Sequence, residues 1–325
     1  MSQCGKTRTS VLVAPSRNSC TSLNLSLTDK LPLEDELFDK GLALFQLMAS
    51  TYLLVVVGSY EVLHGIRSNA AGVNRLSFVA VVLHTAHSAR VVVELFDSTA
   101  FGGRCEALYW LGVWCYAFGN IMLYTIVWAR QRKFYVDPLL KQSTSAIART
   151  CSSTLIVGID LSLVAIAVAF KDGFCVIATK KGCITVWDQS RPVIHVCTTV
   201  FMSLCFSSQS ILLFLLMHPI VTITRQGFCL RFRKTDKDFH ELYRRLCLCS
   251  GVCLLTSFSM ALAVLLDAMR VVCSYWVNLI GLDLLVNNVA VICTFRDWKK
   301  RLFPMLQSND SNHPPAPAAT WLLLG

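Results

Sequence analysis

The chain has 325 residues, of which 54% are hydrophobic and only 15% charged, and its formal net charge is +10. That balance excludes an ordinary soluble domain of this size and places the chain among membrane proteins before any motif is read. The basic residues flank apolar runs instead of forming one patch, so the charge reads as membrane topology and no nucleic-acid partner is expected. Fifteen cysteines would suggest a disulfide scaffold in a small secreted protein, yet Cys115, Cys197, Cys205, Cys253 and Cys293 lie inside apolar runs, where a thiol behaves as a small hydrophobe.

Residues 1–40 are polar and lack an apolar core followed by a small-residue cleavage site, so an N-terminal tail rather than a cleaved signal peptide is expected. Seven apolar runs follow, at 41–63, 76–96, 107–129, 152–170, 193–218, 246–267 and 272–294, each long enough to cross about 30 Å of hydrocarbon as a helix. In this arrangement one set of loops holds 18 Lys and Arg and the other, with the N-terminal tail, holds 11. The richer side is expected to be cytosolic. That puts the N-terminus outside a plasma-membrane protein, and the sequon at Asn24 within reach of glycosylation. After Pro304 the tail (305–325) carries Pro314, Pro315 and Pro317 in a polar stretch and is expected to be disordered in the cytosol. The fold class expected is an all-α membrane protein, a seven-transmembrane helix bundle (41–294) followed by a short amphipathic eighth helix (295–304).

The third run is the most informative. Cys105, Tyr109, Gly112, Tyr116, Gly119, Leu123, Ile126 and Arg130 recur at alternating spacings of four and three, which puts them on one helix face. Two glycines on that stripe permit close approach of a neighbour, and its tyrosines direct hydroxyls into the bundle. The third helix is expected to be central. In the second run Arg90 is the candidate anchor for an anionic ligand, with Asp160, Glu94 or a snorkel to the interface as the alternative fate of its charge. His84 and His87 sit three apart without a second ligand pair, so core hydrogen bonding is expected and no metal. Asp160 in the fourth run and Tyr275 at the start of the seventh complete the candidate ligand-binding set with Tyr109 and Tyr116. Asp283 and Asn287, four apart, read as a polar relay or a helix-packing hydrogen bond.

Between the fourth and fifth runs, Phe174 to Trp187 places apolar β-formers on both sides of Lys180-Lys181-Gly182 and predicts a β-hairpin. A cysteine just outside the third run, an arginine twenty-five residues on at its other end, and a following Pro-Leu pair together resemble the rhodopsin-like G-protein-coupled receptors. The resemblance implies that Cys105 is disulfide-bonded to the hairpin loop through Cys183 or Cys175. It implies that Arg130 is the switch arginine, and that Pro138-Leu139, one residue late, packs on a heterotrimeric G protein with Arg132, Lys133, Arg244 and Arg245 nearby. A Cys175–Cys183 bridge across the hairpin is the local alternative. Phe295 to Phe303 resembles the receptors' eighth helix, a basic amphipathic segment suited to an anionic leaflet. Asn287-Asn288 resembles the start of their seventh-helix motif, without its Pro and Tyr. Other departures are Ala129 in place of an acidic residue before the switch Arg, a sixth run without Trp or Pro, and no Asp in the middle of the second run.

The function expected from the resemblance is a signal transducer, not an enzyme, that binds an extracellular ligand and activates a cytosolic G protein, with no cofactor. The alternative is a small polytopic transporter or channel using Arg90, Asp160 and Asp283 as its path, against which stands the absence of a visible internal repeat. A membrane zinc hydrolase would need more intramembrane His, and a retinal-based light sensor would need a Lys in the seventh run, which has none.

Overall fold

The structure is a computed structural model. It describes residues 33–64, 71–96, 105–136, 146–171, 174–179, 182–187, scattered positions between 196 and 215, 236–268, 276–295 and 297–303. Among these are six long helices: α1 (Leu33–His64), α2 (Ala71–Phe96), α3 (Cys105–Val136), α4 (Ala146–Lys171), α5 (Asp236–Ala268) and α6 (Trp276–Cys293). A two-stranded antiparallel hairpin, β1 (Phe174–Thr179) with β2 (Gly182–Trp187), stands between α4 and the fifth expected span. A five-residue helix, α7 (Trp298–Leu302), follows α6. In the fifth expected span every described position, from Val196 to Leu215, is helical.

The protein is an all-α membrane bundle with one hairpin. Among the described residues four helices are long and apolar enough to cross a bilayer, at Leu37–Leu63, Gly72–Phe96, Cys105–Arg130 and Thr150–Val168, and Asn278–Cys293 is a shorter apolar helix. Helices satisfy every backbone donor and acceptor within the segment, which is why apolar runs of this length take that form in lipid. The polarity of the bundle runs inside-out. Leu37 and Leu63 are each 74% exposed, whereas Gln46, Ser50, His84 and Ser88 are 0% exposed. An interior lined by polar side chains under an apolar exterior is what a hydrocarbon solvent selects.

α3 occupies the middle as its stripe predicts, packing on α2, α4, α6 and β1. Its outer-facing Leu111 and Phe118 are exposed, while Tyr109, Gly112, Gly119, Leu123 and Ile126 are buried. One apolar cluster joins Tyr124 to Ile156, Ile159, Leu163 and Ile166 of α4 and Met260 of α5. A second joins Leu53 and Val57 of α1 to Val81, Leu285, Ile292 and Leu302. A third sets Leu123 and Ile126 against Ala80, Leu284, Val291 and Phe295. Through Leu302 and Phe295 the segment after α6 is part of the core.

The hairpin appears where the sequence predicts it, with Thr179 opposite Gly182. The eighth-helix segment differs from expectation. Thr294 and Phe295 close a turn on Ala290, Val291 and Ile292, and the helix starts only at Trp298. Lys299 and Lys300 are exposed as a lipid-apposed helix requires, but Arg301 and Leu302 are buried against the bundle. Residues 33–40 of the expected N-terminal tail form the first turns of α1, while the rest of that tail with Asn24, the 305–325 tail and the link around Arg270 lie outside the described residues.

Candidate functional site

Three polar groups lie along the buried face of α3. They succeed one another from the end that carries the hairpin to the end that carries α7.

At the hairpin end, Arg90 and Glu94 of α2 form an ion pair through two arms of the guanidinium, Nε donating to Oε1 at 2.9 Å and Nη2 to Oε2. Their side chains are 7% and 11% exposed. Glu94, one of the partners weighed from sequence, therefore occupies Arg90, and Asp160 does not. The guanidinium lies against Gly112 of α3, where an added Cβ would fall 2.6 Å from Arg90 Cζ. Gly112 is thus the seat of an arginine more than a helix-to-helix contact. Tyr109, one turn away on α3, is buried. His84 and His87 are wholly buried, with the backbone of Gly281 as the polar neighbour of His84 and that of Gly112 as the polar neighbour of His87. No group of three metal-ligating side chains occurs among the described residues.

At mid-depth, Asp283 of α6 is 2% exposed and is met from three helices. Ser257 of α5 donates to its Oδ1 at 3.0 Å, Asn287 Nδ2 to the same oxygen at 3.1 Å, and the Tyr116 hydroxyl of α3 to Oδ2 at 3.5 Å. Thr256 donates to Asn287 Oδ1 at 3.4 Å. The i,i+4 pair read from sequence is present, and the two α5 hydroxyls that complete it were missed. A Ser-Thr pair in an apolar run gives little sign of which helix it faces. A second link, also missed, ties α1 to α6: Gln46 Nε2 donates to the Asn278 carbonyl at 2.6 Å and Asn278 Nδ2 to Asp39 at 2.9 Å. All three side chains are buried, and a Gln inside an apolar run was the available signal.

At the α7 end, Arg130 Nη1 donates to the Thr294 hydroxyl, and its Cζ lies 3.8 Å from the Phe295 ring centroid. Arg301 lies at the same 3.8 Å from that ring, and 4.3 Å from the ring of Tyr60. It donates to Asp297 at 2.9 Å and, through both terminal nitrogens, to Asn74 Oδ1 at 3.2 Å. The Tyr60 hydroxyl donates to the other Asp297 oxygen. Burial would raise the Asp297 carboxyl, but the Tyr60 hydroxyl and the Arg301 guanidinium outweigh it and hold it below the usual carboxylate range.

Other sequence-selected residues fall outside these groups. Arg132 is exposed over Trp128 at 5.5 Å, Arg244 is exposed and Arg245 half-buried. Asp160 is half-buried on α4, and its Oδ1 has no hydrogen-bond partner among the described residues. Cys105 is buried and disulfide-bonded. The register puts Cys175 opposite Val186 and Cys183 opposite Ala178. Three steps along the ladder separate the two by about 10 Å, more than a disulfide spans, so the bridge across the hairpin is excluded by the backbone alone. The side chains of Lys133, Cys175 and Cys183, and all of Tyr275, Pro138 and Leu139, lie outside the described residues.

No family model matches the chain, and no curated protein does. Among solved structures it is similar to a crystal structure of squid rhodopsin, with a TM-score of 0.54 over 86% of this chain and 88% of that one, at 13% identity. The likeness is one of fold. α6 carries no lysine.

Proposed function

We propose that the chain is a plasma-membrane receptor of the G-protein-coupled kind, with the hairpin end extracellular and the α7 end cytosolic. The observation that carries this reading is that one face of α3 is in contact with the polar groups at both ends of the bundle and at its centre. Gly112 seats the Arg90–Glu94 pair, Tyr116 reaches Asp283, and Arg130 engages Thr294. A ligand that moves α3 or α6 at one end would change contacts at the other, which is the requirement for transduction through a bistable bundle. The basic excess on the loops of the α7 end supports the orientation.

In this reading the ligand enters beneath the hairpin, which rests on α2 and α3. Arg90, Tyr109 and Tyr116 line its route, Asp160 and Tyr275 remain candidate contacts from the sequence, and Cys105 anchors the hairpin loop through Cys175 or Cys183. Because Glu94 already fills the Arg90 fork, an anionic ligand would have to displace a carboxylate, whereas a polar ligand with both donor and acceptor groups would not. The Asp283–Asn287 pair with Ser257 serves as the relay between α3, α5 and α6. Arg130, Arg132, Arg244, Arg245 and the Pro138-Leu139 loop would face the G protein, and Lys299 and Lys300 anionic lipid.

The test is G-protein activation by the full chain at matched surface level. Arg130→Ala is expected to abolish basal or ligand-driven turnover, and Arg132→Ala to reduce it in part. Turnover that survives Arg130→Ala unchanged would overturn the assignment in favour of a transporter or channel.

A further inference from the structure

Resting on the receptor reading, we infer that Arg130 is latched by the segment after α6, and that this latch stands in for the acidic neighbour that Ala129 does not supply.

The geometry is specific. The Thr294 hydroxyl accepts from Arg130 while donating to the Val291 carbonyl at 2.6 Å, so both of its roles are filled and its rotamer is fixed. Thr294 is 7% exposed and Phe295 9% exposed, so the groups that hold Arg130 belong to the bundle, while Arg130 itself is half-buried at its edge. The Phe295 ring offers its quadrupole to Arg130 and Arg301 together. Phe295 is itself fixed by packing on Ala80, Leu123, Ile126, Leu284 and Val291. Arg301 is the positioning residue. Held by Asp297 and Asn74, and stacked on Tyr60, it ties the turn to α1 and α2, so Thr294 and Phe295 are presented to Arg130 from a rigid frame.

The same geometry keeps the latch reversible. Two guanidiniums share one aromatic ring, and the carboxylate closest to them, Asp297, is bonded to Arg301 and not to Arg130. Arg130 thus feels the repulsion of Arg301 together with the attraction of Asp297. The hydrogen bond, the ring contact and the attraction of Asp297 hold Arg130, and desolvation and the like charge of Arg301 oppose them. Arg130 leaves when an acceptor outside the bundle offers more than Thr294 does.

The experiment uses the full chain in lipid nanodiscs with spin labels on keto amino acids introduced at Arg132 and Arg244, both exposed, so the native cysteines stay untouched. Pulsed electron resonance reads the distance between the ends of α3 and α5. Thr294→Val keeps shape and removes the acceptor, and it is expected to raise the open-to-closed ratio about tenfold or more. Phe295→Leu is expected to do the same, and Arg301→Lys to do so more weakly. Melting temperature checks that each variant is folded, and Thr294→Val keeps the test decisive where Phe295→Leu fails to fold. A Thr294→Val distance distribution identical to that of the unsubstituted chain would overturn the latch. If that occurs while Arg130-dependent G-protein turnover of the unlabelled chain persists, the receptor reading survives alone. A shifted distribution without any turnover supports the latch and removes the receptor.

Discussion

Replacing Gly112 by alanine adds one methyl group at the point where α3 makes room for Arg90. The new Cβ would sit 2.6 Å from Arg90 Cζ and 3.0 Å from Cδ, inside van der Waals contact. A guanidinium at the end of a flexible stem would normally swing aside, but this one is held by Glu94 through two hydrogen bonds and is buried. Overpacking of this kind costs about 1–3 kcal/mol. Alanine in a helix recovers roughly 0.5–1 kcal/mol relative to glycine. The net expectation is a loss of about 1–2 kcal/mol. Gly158 of α4 supplies the control, because it is exposed and a Cβ there meets nothing within 4 Å, so only the helical gain applies. At roughly 2 °C per kcal/mol, the lower end of the scale because the shift shrinks as chains lengthen, Gly112→Ala should melt a few degrees below Gly158→Ala in the same detergent. Adding Arg90→Met to Gly112→Ala should recover part of the loss, since an unbranched thioether bends around the methyl and Glu94 can take up a proton. A Gly112→Ala protein that melts with Gly158→Ala would show that Arg90 does not rest on that glycine, and the description of the hairpin end would fall.

The relay is tested by a double-mutant cycle of Ser257→Ala and Asp283→Asn, with an expected coupling of about 0.6–1.7 kcal/mol in thermal stability, and additive effects would separate the two side chains. Epitope tags on intact cells should label at the N-terminus and not at the C-terminus, and surface staining of the C-terminal tag would reverse the proposed orientation. Mass spectrometry of the non-reduced protein should join a Cys105 peptide to one containing Cys175 or Cys183 and leave Cys115 free, and a peptide joining Cys175 to Cys183 would contradict the hairpin register.

Much of the bundle was legible because helices in lipid are specified by local composition. Span positions and the inward face of α3 follow from apolar length and from a spacing of three and four, and both are properties of one segment at a time. The hairpin was legible for the same reason, since its turn and flanking β-formers are contiguous. What stayed hidden depends on how one helix is rotated against another. Ser257 meets Asp283, and Thr256 lies within reach of Asn287 as well as of its own helix at Cys253, because α5 turns them toward α6, and nothing within the α5 sequence distinguishes them from Ser259, whose described bond is to its own helix at Leu255. Arg301 is the sharpest case. In a basic amphipathic segment it reads as one more lipid-facing charge beside Lys299 and Lys300. Its burial follows from Asn74 and Tyr60, which lie in other helices far from it in sequence, together with its own i−4 neighbour Asp297.

That division has a physical origin which bears on function. In hydrocarbon there is little gain in bringing one apolar helix face against another, so rotation and depth are fixed by close packing and by hydrogen bonds between helices. The described contacts between distant polar side chains are concentrated on α6 and the turn that follows it. Asp39 and Gln46 reach Asn278, Tyr116 and Ser257 reach Asp283, and Arg130 reaches Thr294. α6 is therefore the element against which α1, α3 and α5 are registered, and a displacement of α6 by part of a turn would strain all of these contacts together. Arg90, by contrast, is bonded within α2 to Glu94 and meets α3 only at a glycine. The hairpin end thus combines a self-contained ion pair with the hydrogen bonds that tie Asp39 and Gln46 of α1 to Asn278, the middle is held through Asp283, and the α7 end through Arg130 and Thr294. A displacement of α6 must exchange partners at all three depths, whereas Arg90 can move with α2 without losing Glu94.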